Sequence, residues 1–574
     1  MADHVPSILT SRLAKLNPFG KDGADDENLG EVTGPSTIAG GGHAAFRTSL
    51  TKTQLRVSRA LQDFLIHHQA LASGLGSAEL AAATQALMDK AHINVPASVI
   101  DRSHPLPEYF VSSSHNTYLL AHQLYGSSST TAYGLAIGTG ARCVEIDAWD
   151  NEDQTDEPKV THGYTLASNI PFRAVCEAIR DAVDHETTTT EHGQPSPVLI
   201  SLENHCGARG QSRLAQIMKE VWQHRLLSER VRQQGQHEQQ GSGEHVTLDQ
   251  LGAKIAVIVE FHVGEVLSDS SSSDEEDAAK ADSKAYKQRK KDAADASVII
   301  PELAELGVYA QSIKPVDKSW LEGELDHPHH HLINISESGL SSLMPTSNAK
   351  ISKHNSEHLM RVYPKGTRIS SANLNPAIYW GVGAQVCALN WQTFDASMQL
   401  NEALFAGTDG FVLKPAALRR GGSGQLNAGR QRQLRLHVAG ATDVPVPEGH
   451  NADDMRPYLT CTLIHPSDVE GKPAKRKTSA YKQHKLGLVH KGAASPATDP
   501  VWDETLEWQY EDNELTFLRL IIKSDDKFAK NPMFAVASVR LLYVVKGWTF
   551  IRMLDLKGRE THCTLLVKFD FSYA

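Results

Sequence analysis

The chain has 574 residues and a mass of 62.8 kDa, which is too long for one ordinary hydrophobic core and predicts about three or four folding units. Its net charge of -11 and pI near 6.2 argue against a dedicated nucleic-acid-binding protein. The 6 cysteines are scattered singly with no C-x-x-C pair, which excludes the usual zinc and disulfide frameworks and predicts reduced core residues of a cytosolic protein.

The N-terminal part is predicted to contain no chemistry. Residues 1–44 are rich in Gly, Ser, Pro and acidic residues and read as a disordered tail. From 45 to 103 the apolar residues recur at helical spacing, as at Leu61, Phe64 and Leu65, without a D-x-D-x-D-G calcium loop. The longest aliphatic run, Ile255 to Val259, is far shorter than the ~20 residues that span a bilayer, and no signal peptide is recognisable.

Short apolar runs then alternate with helical patterns, which predicts a parallel sheet or barrel. The runs in the first half are Tyr109 to Ser112, Cys143 to Ala148, Val198 to Leu202 and Ile255 to Phe261. Residues 263–297 include SDSSSSDEED, Ser268 to Asp277, and form a charged segment that predicts a linker. The alternation resumes at residue 298 and continues to 420.

The C-terminal part has a different pattern. A Gly-rich linker at 421–429 is followed by short strand patterns separated by polar turns, such as QLRLHVAG, PYLTCTLI and TLLVKFDF. Regular short strands of this kind predict an antiparallel β-sandwich over residues 430–574.

Polar residues suited to a hard cation are found in or directly after several apolar runs of the first half: His115, Asn116, Glu145, Asp147, His162 and Glu203. Two of them, Glu145 and Asp147, are two residues apart and point to the same face of a strand. The carboxyl ends of parallel barrel strands converge on one mouth, where three carboxylates and an amide oxygen would form a calcium-type cage. Each residue taken singly has a plainer interpretation, a solvated strand face for the acids and a structural role for the histidines.

The strings in their order resemble one known family. PLPEYFVSSSHNTYLLAHQL, ARCVEIDAWD, THGYTLAS and PVLISLENHC resemble the X half of eukaryotic phosphoinositide-specific phospholipases C. INISESGL, RVYPKGTRISSANLNP, WGVGAQVCALNWQT and DGFVLKPAALR resemble the Y half. The resemblance covers residues 104–574 and implies an α/β fold, a split and distorted TIM-type (β/α)8 barrel with halves at 104–262 and 298–420, after an EF-hand-like helical remnant and before a C2-like domain.

The resemblance also implies a reaction, the calcium-dependent hydrolysis of inositol phospholipids to diacylglycerol and inositol phosphates through a cyclic phosphodiester. The calcium ligands would be Asn116, Glu145, Asp147 and Glu203. Glu145 is the candidate base, with Asp147 as the rival. His162 would protonate the leaving diacylglycerol oxygen, and His115 would donate to the phosphoryl oxygens.

Ser336, Arg361 and Tyr363 match the headgroup positions of the family, the first two for ring phosphates and the tyrosine for the inositol ring. Where well-characterised members carry two lysines for the 4- and 5-phosphates, this chain has Ile258 and Glu260. We therefore expect a weakened preference for the bisphosphorylated headgroup. A cation from elsewhere, such as Lys254, would offset the loss.

Membrane contact is predicted at two places. An apolar ridge in the family matches Leu124, Tyr164, Leu166 and Leu343, for which an ordinary core position is an equal alternative. The basic loop of the C2-like part could meet anionic lipid or simply be solvated; its residues are Lys472, Lys475, Arg476, Lys477, Lys482 and Lys485.

The regulatory calcium sites of the C2-like part are predicted to be degraded. Arg456 replaces an expected aspartate, and Ser524 with Asp526 occupies another ligand pair. We expect the acidic Ser268 to Asp277 block to act as a lid repelled by anionic lipid, and the tract His327 to His331 to be an exposed loop rather than a metal site.

These expectations describe a monomeric, cytoplasmic enzyme that visits phosphoinositide-containing membranes transiently, without a pleckstrin-type domain and without a nucleic-acid partner. Two alternatives remain open. One is a catalytically silent phosphoinositide-binding scaffold, against which retention of both histidines and all four ligands speaks. The other is a calcium-regulated membrane adaptor, which Arg456 and Ser524 disfavour.

Overall fold

The computed structural model describes residues 55–120, 128–154, 156–161, 168–189, 195–229, 246–260, 299–315, 317–323, 330–365, 372–426, 429–446, 451–468, 473–482, 495–525 and 533–573. Two helices open this part of the chain, α1 (Arg59–His67) and α2 (Ser77–Asp89). The Ser58 side chain accepts a hydrogen bond from the Leu61 N–H, which caps the first turn of α1.

An α/β domain follows. The elements of its first half are β1 (Tyr109–Val111), α3 (Thr131–Gly138), β2 (Cys143–Trp149), β3 (Lys159–Val160), β4 (Ile170–Pro171), α4 (Phe172–Thr189), β5 (Val198–His205), α5 (Ala208–Trp222), α6 (Leu248–Leu251) and β6 (Ile255–Glu260). Those of its second half are α7 (Pro301–Ala304), β7 (Ala310–Ile313), β8 (His331–Ser336), α8 (Glu337–Glu357), β9 (Leu359–Tyr363), α9 (Pro376–Trp380), β10 (Val386–Cys387), α10 (Ala396–Phe405) and β11 (Phe411–Leu413).

Eight strands of this domain form a parallel ring. Pairing runs continuously from β1 through β10, β9, β8, β7, β6 and β5 to β2. A parallel bridge between Ser113 and Cys143 then brings β2 beside the chain directly after β1. Strand β11 joins β1 in antiparallel orientation, and β3 with β4 extends β2. The alternation predicted a parallel sheet or barrel and the resemblance implied a (β/α)8 barrel, and the barrel is confirmed.

The two-residue period of the strands decides which side chains face the barrel interior. Cys143 and Leu199 belong to an inner apolar cluster, whereas Val144 and Ile200 pack in the larger cluster between strands and helices. Glu145 and Asp147 keep the alternation of Cys143, and Glu203 keeps that of Leu199. The carboxyl ends of β2 and β5 therefore present carboxylates to the interior, at one mouth.

The C-terminal domain is an antiparallel sandwich. Its strands are β12 (Gln431–Thr442), β13 (Pro457–Ile464), β14 (Ala474–Lys477), β15 (Val501–Glu511), β16 (Phe517–Ser524), β17 (Met533–Arg540), β18 (Gly547–Leu554) and β19 (Glu560–Tyr573). Their order is β14-β13-β16-β17-β18-β19-β12-β15, and only the pair Val536–Leu554 joins β17 to β18 in the described register. This narrow join divides the sheet into two halves around one apolar core.

Barrel and sandwich share a buried polar contact. The Arg519 side chain of β16 donates to Gln399 Oε1 of α10 over 2.6 Å, and their exposed fractions are 3% and 2%. Tyr543 adds a hydrogen bond from its hydroxyl to the Leu404 carbonyl oxygen at 3.0 Å. Because buried polar groups are costly when left unpaired, these bonds fix how the two domains meet.

Replacing Arg519 with leucine should destabilise the chain by about 1–3 kcal/mol, because the acceptor on Gln399 loses its donor inside the interface. The midpoint of thermal unfolding of the intact chain measures the effect. Arg435→Leu is the matched control, since Arg435 is 58% exposed and its ion pair with Glu507 lies on the surface of the same domain. Equal midpoints for the two variants would contradict the importance of this contact.

Two further expectations are met in the described part of the chain. All 6 cysteines are unpaired and buried. No helix among the described residues is both long and apolar enough to cross a bilayer. The tail at 1–44, the linker at 263–297 with its acidic block, and His327 and His329 lie outside the described residues. The exposed loop expected at His327 to His331 is wrong for His331, which lies on β8 with 5% exposure.

Candidate active site

Three carboxylates converge at the barrel mouth because of strand register. Asp147 of β2 is the direct partner of Glu203 on β5, and Glu145 lies two residues earlier on the same face. Their side chains are well shielded, with 6% exposure for Glu145 and 16% for Glu203. The structure thus brings together the acids that the sequence predicted as one group.

The loop after β1 adds a histidine and an amide. Asn116 adopts a left-handed backbone with φ 45°, and its N–H donates to Glu145 Oε2 over 2.7 Å. The His115 Nδ1 lies 2.8 Å from Asn390 Oδ1, and its Nε2 lies 4.0 Å from Glu145 Oε2. Asn390 therefore orients the imidazole so that Nε2 faces the carboxylates.

Arg361 occupies the space between the acids. Its Nη2 lies 2.6 Å from Glu145 Oε1 and its Nη1 lies 3.9 Å from Glu203 Oε1. Asn334 bridges the same pair, because its Oδ1 accepts from Arg361 at 3.0 Å and its Nδ2 donates to Glu203 at 3.2 Å. The arginine expected to bind ring phosphates is 2% exposed here and neutralises buried carboxylates.

The two acids of β2 have opposite pKa directions. Burial raises the pKa of the Glu145 carboxyl, but Arg361, His115 and the Asn116 N–H outweigh it, so the net pKa is lowered. For Asp147, burial and the adjacent Glu145 charge raise the pKa well above the ordinary aspartate value. Glu145 is therefore held as an anion, whereas ionisation of the Asp147 carboxyl is disfavoured.

Burial is the largest single influence on the pKa of His115 and on that of Glu203. It lowers the pKa of His115, although the neighbouring Glu145 charge opposes the shift. The pKa of Glu203 is raised, first by burial and then by Glu260, against the lowering effect of Lys314 and Arg361. Among the described residues, the mouth thus favours a neutral imidazole beside carboxylates whose charges are only partly balanced.

The chemistry of these donors fits a hard cation. Asp147 Oδ1 is buried without a hydrogen-bond partner among the described residues, while Tyr118 donates to Oδ2 over 2.7 Å. Three carboxylates and the Asn116 amide oxygen are the ligand types that calcium prefers. As placed, however, no three Asp, Glu, His or Cys side chains in the described ranges are arranged to hold a metal. Arg361 stands where the positive charge is needed.

The headgroup candidates lie on neighbouring strand ends. Ser336 ends β8 and caps α8, since its Oγ accepts from the Gly339 N–H at 3.1 Å. Tyr363 ends β9, with its ring centroid 5.8 Å from the Arg361 guanidinium. The mouth therefore has a hydroxyl and an aromatic face beside the acidic group.

Sequence reasoning missed four polar residues of the site: Tyr118, Lys314, Asn334 and Asn390. The signal was available for two of them, because Lys314 follows β7 directly and Asn390 follows the β10 region, at positions equivalent to those that singled out Glu203. Tyr118 is contained in the HNTYLL string, but nothing in that string indicates that its hydroxyl reaches Asp147.

Several expected site residues lie outside the described part of the chain, namely His162, Tyr164, Leu166 and Leu124. Leu343 is described. It lies on α8 with 8% exposure, packed in the core between helices and strands. This position agrees with the core alternative that the sequence left open beside the membrane ridge.

In the sandwich, the Arg456 N–H donates to Ser524 Oγ over 2.9 Å, so the two substituted positions are adjacent. Of the basic loop, Lys475, Arg476 and Lys477 lie exposed on β14 and Lys482 is exposed after it. Asp526, Lys472 and Lys485 are outside the described residues.

Three sequence families match the chain. Residues 102–260 match "Phosphatidylinositol-specific phospholipase C, X domain" and residues 303–417 match "Phosphatidylinositol-specific phospholipase C, Y domain". Residues 432–549 match "C2 domain". These ranges coincide with the two halves of the barrel and with most of the sandwich.

Curated relatives carry names of the same class. The chain is 32% identical over 479 residues to 1-phosphatidylinositol 4,5-bisphosphate phosphodiesterase delta-3 of Mus musculus, covering 80% of this chain and 55% of the relative. It is 30% identical over 491 residues to the delta-1 protein of Homo sapiens, covering 82% and 60%. The chain thus spans between 55% and 60% of the length of these relatives.

A solved structure has the same fold. The crystal structure of L. pealei PLC21 superposes with a TM-score of 0.67 at 22% identity, covering 94% of this chain and 65% of that one. The likeness extends over barrel and sandwich together.

Proposed function

We propose, from the premise that this chain belongs to the phosphatidylinositol-specific phospholipase C family, that it hydrolyses inositol phospholipids to diacylglycerol and soluble inositol phosphates. The reaction passes through a cyclic phosphodiester and depends on calcium. One observation carries the proposal, the convergence of His115, Asn116, Glu145, Asp147 and Glu203 at the mouth of a barrel whose two halves match the X and Y domains.

Asn116, Glu145, Asp147 and Glu203 would hold the calcium ion. When bound, calcium lowers the pKa of the inositol 2-hydroxyl and offsets the negative charge that gathers on the phosphate. The unpartnered Asp147 oxygen and its raised pKa support this assignment, because both are relieved by a cation. The Arg361 contact to Glu145 has to loosen for the ligands to close.

His115 is proposed to donate from Nε2 to the phosphoryl oxygens, an arrangement that its hydrogen bond to Asn390 preorganises. Glu145 remains our candidate for the base that accepts the 2-hydroxyl proton. Asp147, which lies on the same face of β2 two residues further on, remains the rival for this role. His162 would protonate the leaving diacylglycerol oxygen and then activate water.

The headgroup is proposed to bind beside the acids. Ser336 accepts from the Gly339 N–H and keeps its own O–H proton for an anionic oxygen. Tyr363 would pack on the inositol ring, and Arg361 would turn toward phosphate once a cation replaces it at Glu145.

We further propose a monomer that acts peripherally and transiently at phosphoinositide-containing membranes from the cytoplasm. The C2 domain and the basic residues exposed on β14, Lys475, Arg476 and Lys477, support contact with an anionic leaflet. The substitutions at Arg456 and Ser524 favour contact through this basic strand over regulatory calcium binding by the sandwich.

A phosphorus NMR time course on detergent-solubilised phosphatidylinositol tests the reaction type. We expect inositol 1,2-cyclic phosphate to appear first and the acyclic monophosphate to follow. Direct appearance of the acyclic product or of phosphatidic acid would contradict the cyclic route. Binding of the lipid without any product would favour a silent scaffold.

A further inference from the structure

The mouth contains a salt bridge on the side of β5, β6 and β7. Lys314 follows β7, and its Nζ lies 2.9 Å from Glu260 Oε1 and 3.5 Å from Glu203 Oε2. Lys314 is 60% exposed, whereas Glu260 and Glu203 are only 12% and 16% exposed. The lysine therefore reaches in from the rim and covers two shielded carboxylates.

Among the described residues, this side of the mouth offers no surplus positive charge. Glu260 continues the inward alternation of Ile258, which is 2% exposed and belongs to the inner apolar cluster. Lys314 continues the alternation of Ala310 on β7, another member of that cluster. The described side chains of this sector therefore contribute two carboxylates, one ammonium group and an apolar floor.

The charge balance of the whole mouth leads to the same result. The charged groups that the ion pairs and the strand register bring together there are the carboxylates Glu145, Asp147, Glu203 and Glu260 and the cations Lys314 and Arg361. Four negative charges against two positive ones leave two, which a single divalent cation cancels. A phosphate monoester on the inositol ring would bring a charge of about -1.5 to -2 more per group, and these described groups have no net countercharge to receive it.

We propose that Glu260 and Lys314 form a specificity-determining pair that directs the site toward inositol lipids without ring phosphates. Glu260 and Glu203 both hold the Lys314 ammonium group. A ring phosphate must therefore compete with these two carboxylates for the lysine. Unsubstituted phosphatidylinositol makes no such demand. This inference rests on the proposed hydrolysis and specifies its substrate class.

The test compares kcat/KM for phosphatidylinositol and for its 4,5-bisphosphate in the presence of calcium. Each substrate is presented at the same mole fraction in vesicles whose other lipids are neutral. We expect the wild type to prefer phosphatidylinositol. Glu260→Lys adds a cation and repels Lys314 outward, so the ratio should move at least tenfold toward the bisphosphate. Glu260→Gln frees Lys314 without adding charge and should move it in the same direction by a smaller factor.

Vesicle attraction is controlled by Glu302→Lys, which makes the same charge change at an exposed position on α7 and should leave the ratio unchanged. The midpoint of thermal unfolding verifies that each variant folds. If Glu260→Lys does not fold, the lipid preference of Glu260→Gln decides the question. A wild type that prefers the bisphosphate tenfold, or ratios that ignore Glu260, would overturn the pair while leaving hydrolysis intact. No turnover of either lipid by the wild type would instead overturn the proposed function.

Discussion

Replacing His115 with alanine should lower kcat by about 10²–10³, or roughly 3–4 kcal/mol of transition-state stabilisation, with a much smaller change in KM. The reason is geometric, because Asn390 Oδ1 lies 2.8 Å from His115 Nδ1 and fixes the imidazole. The Nε2 atom of His115 is then directed at the cluster of carboxylates, where the phosphate would be attacked. A donor fixed before the reaction contributes most when charge develops on the phosphoryl oxygens.

Initial rates of inositol phosphate release at saturating calcium measure the effect. His562→Ala is the control, since His562 is an exposed residue at the far end of the chain and should retain the wild-type rate. An increase in KM with kcat unchanged would assign His115 to substrate binding alone. Equal loss in both variants would remove it from the chemistry.

Replacing Asp147 with asparagine should raise the calcium concentration needed for half-maximal activity by about two orders of magnitude, because the number of charged ligands sets calcium affinity. Without calcium, the same change should stabilise the chain. The folded-state pKa of Asp147 is raised, so ionisation costs stability as the pH rises to neutral, and asparagine avoids that cost.

Thermal unfolding with calcium and with chelator separates the two effects. Wild type should gain about 2.7 kcal/mol when calcium reaches 100 times its dissociation constant, and Asp147→Asn should gain far less. Glu145→Gln is the matched comparison, and its effect on stability should have the opposite sign. It removes the carboxylate that lies 2.6 Å from the buried Arg361 guanidinium and should therefore destabilise the chain by about 3–5 kcal/mol. A calcium response in Asp147→Asn equal to that of wild type would exclude this carboxylate as a ligand.

Periodicity alone predicted much of the architecture. The runs around Val144, Ile200 and Val257 alternate with helical patterns, and local spacing decides between strand and helix before any packing is known. The meeting of Asp147 with Glu203 was also predictable, because the carboxyl ends of neighbouring parallel strands must lie at one edge.

Side-chain partners depended on the fold and could not be predicted. Arg361 lies on β9 and Glu145 on β2, which are far apart in the chain, and the strand order brings them together across the barrel. No local sequence pattern indicates this contact.

 The position of Lys314 after β7 could be predicted, but its two carboxylate partners could not, since they belong to β5 and β6. For Leu343 the sequence left core and membrane ridge as equal alternatives, because an apolar residue on a helix can face either the core or the surface, and only packing decides which.

The chain's resemblance to its family predicted the roles, and the structure adds the charges that constrain them. The pairing of Arg361 with Glu145 and the bridging position of Lys314 are features of the fold that no motif contains. They show that the carboxylates at the mouth are paired with an arginine and a lysine from other strands.

The most direct test of the central claim is the release of water-soluble inositol phosphates from phosphatidylinositol vesicles, with calcium and with chelator, by wild type and by His162→Ala. We predict release by the wild type that requires calcium and that the substitution reduces by at least 10²-fold, within the range of general acid–base catalysis. Vesicle binding without release in any condition, or release that neither chelator nor His162→Ala diminishes, would contradict the account.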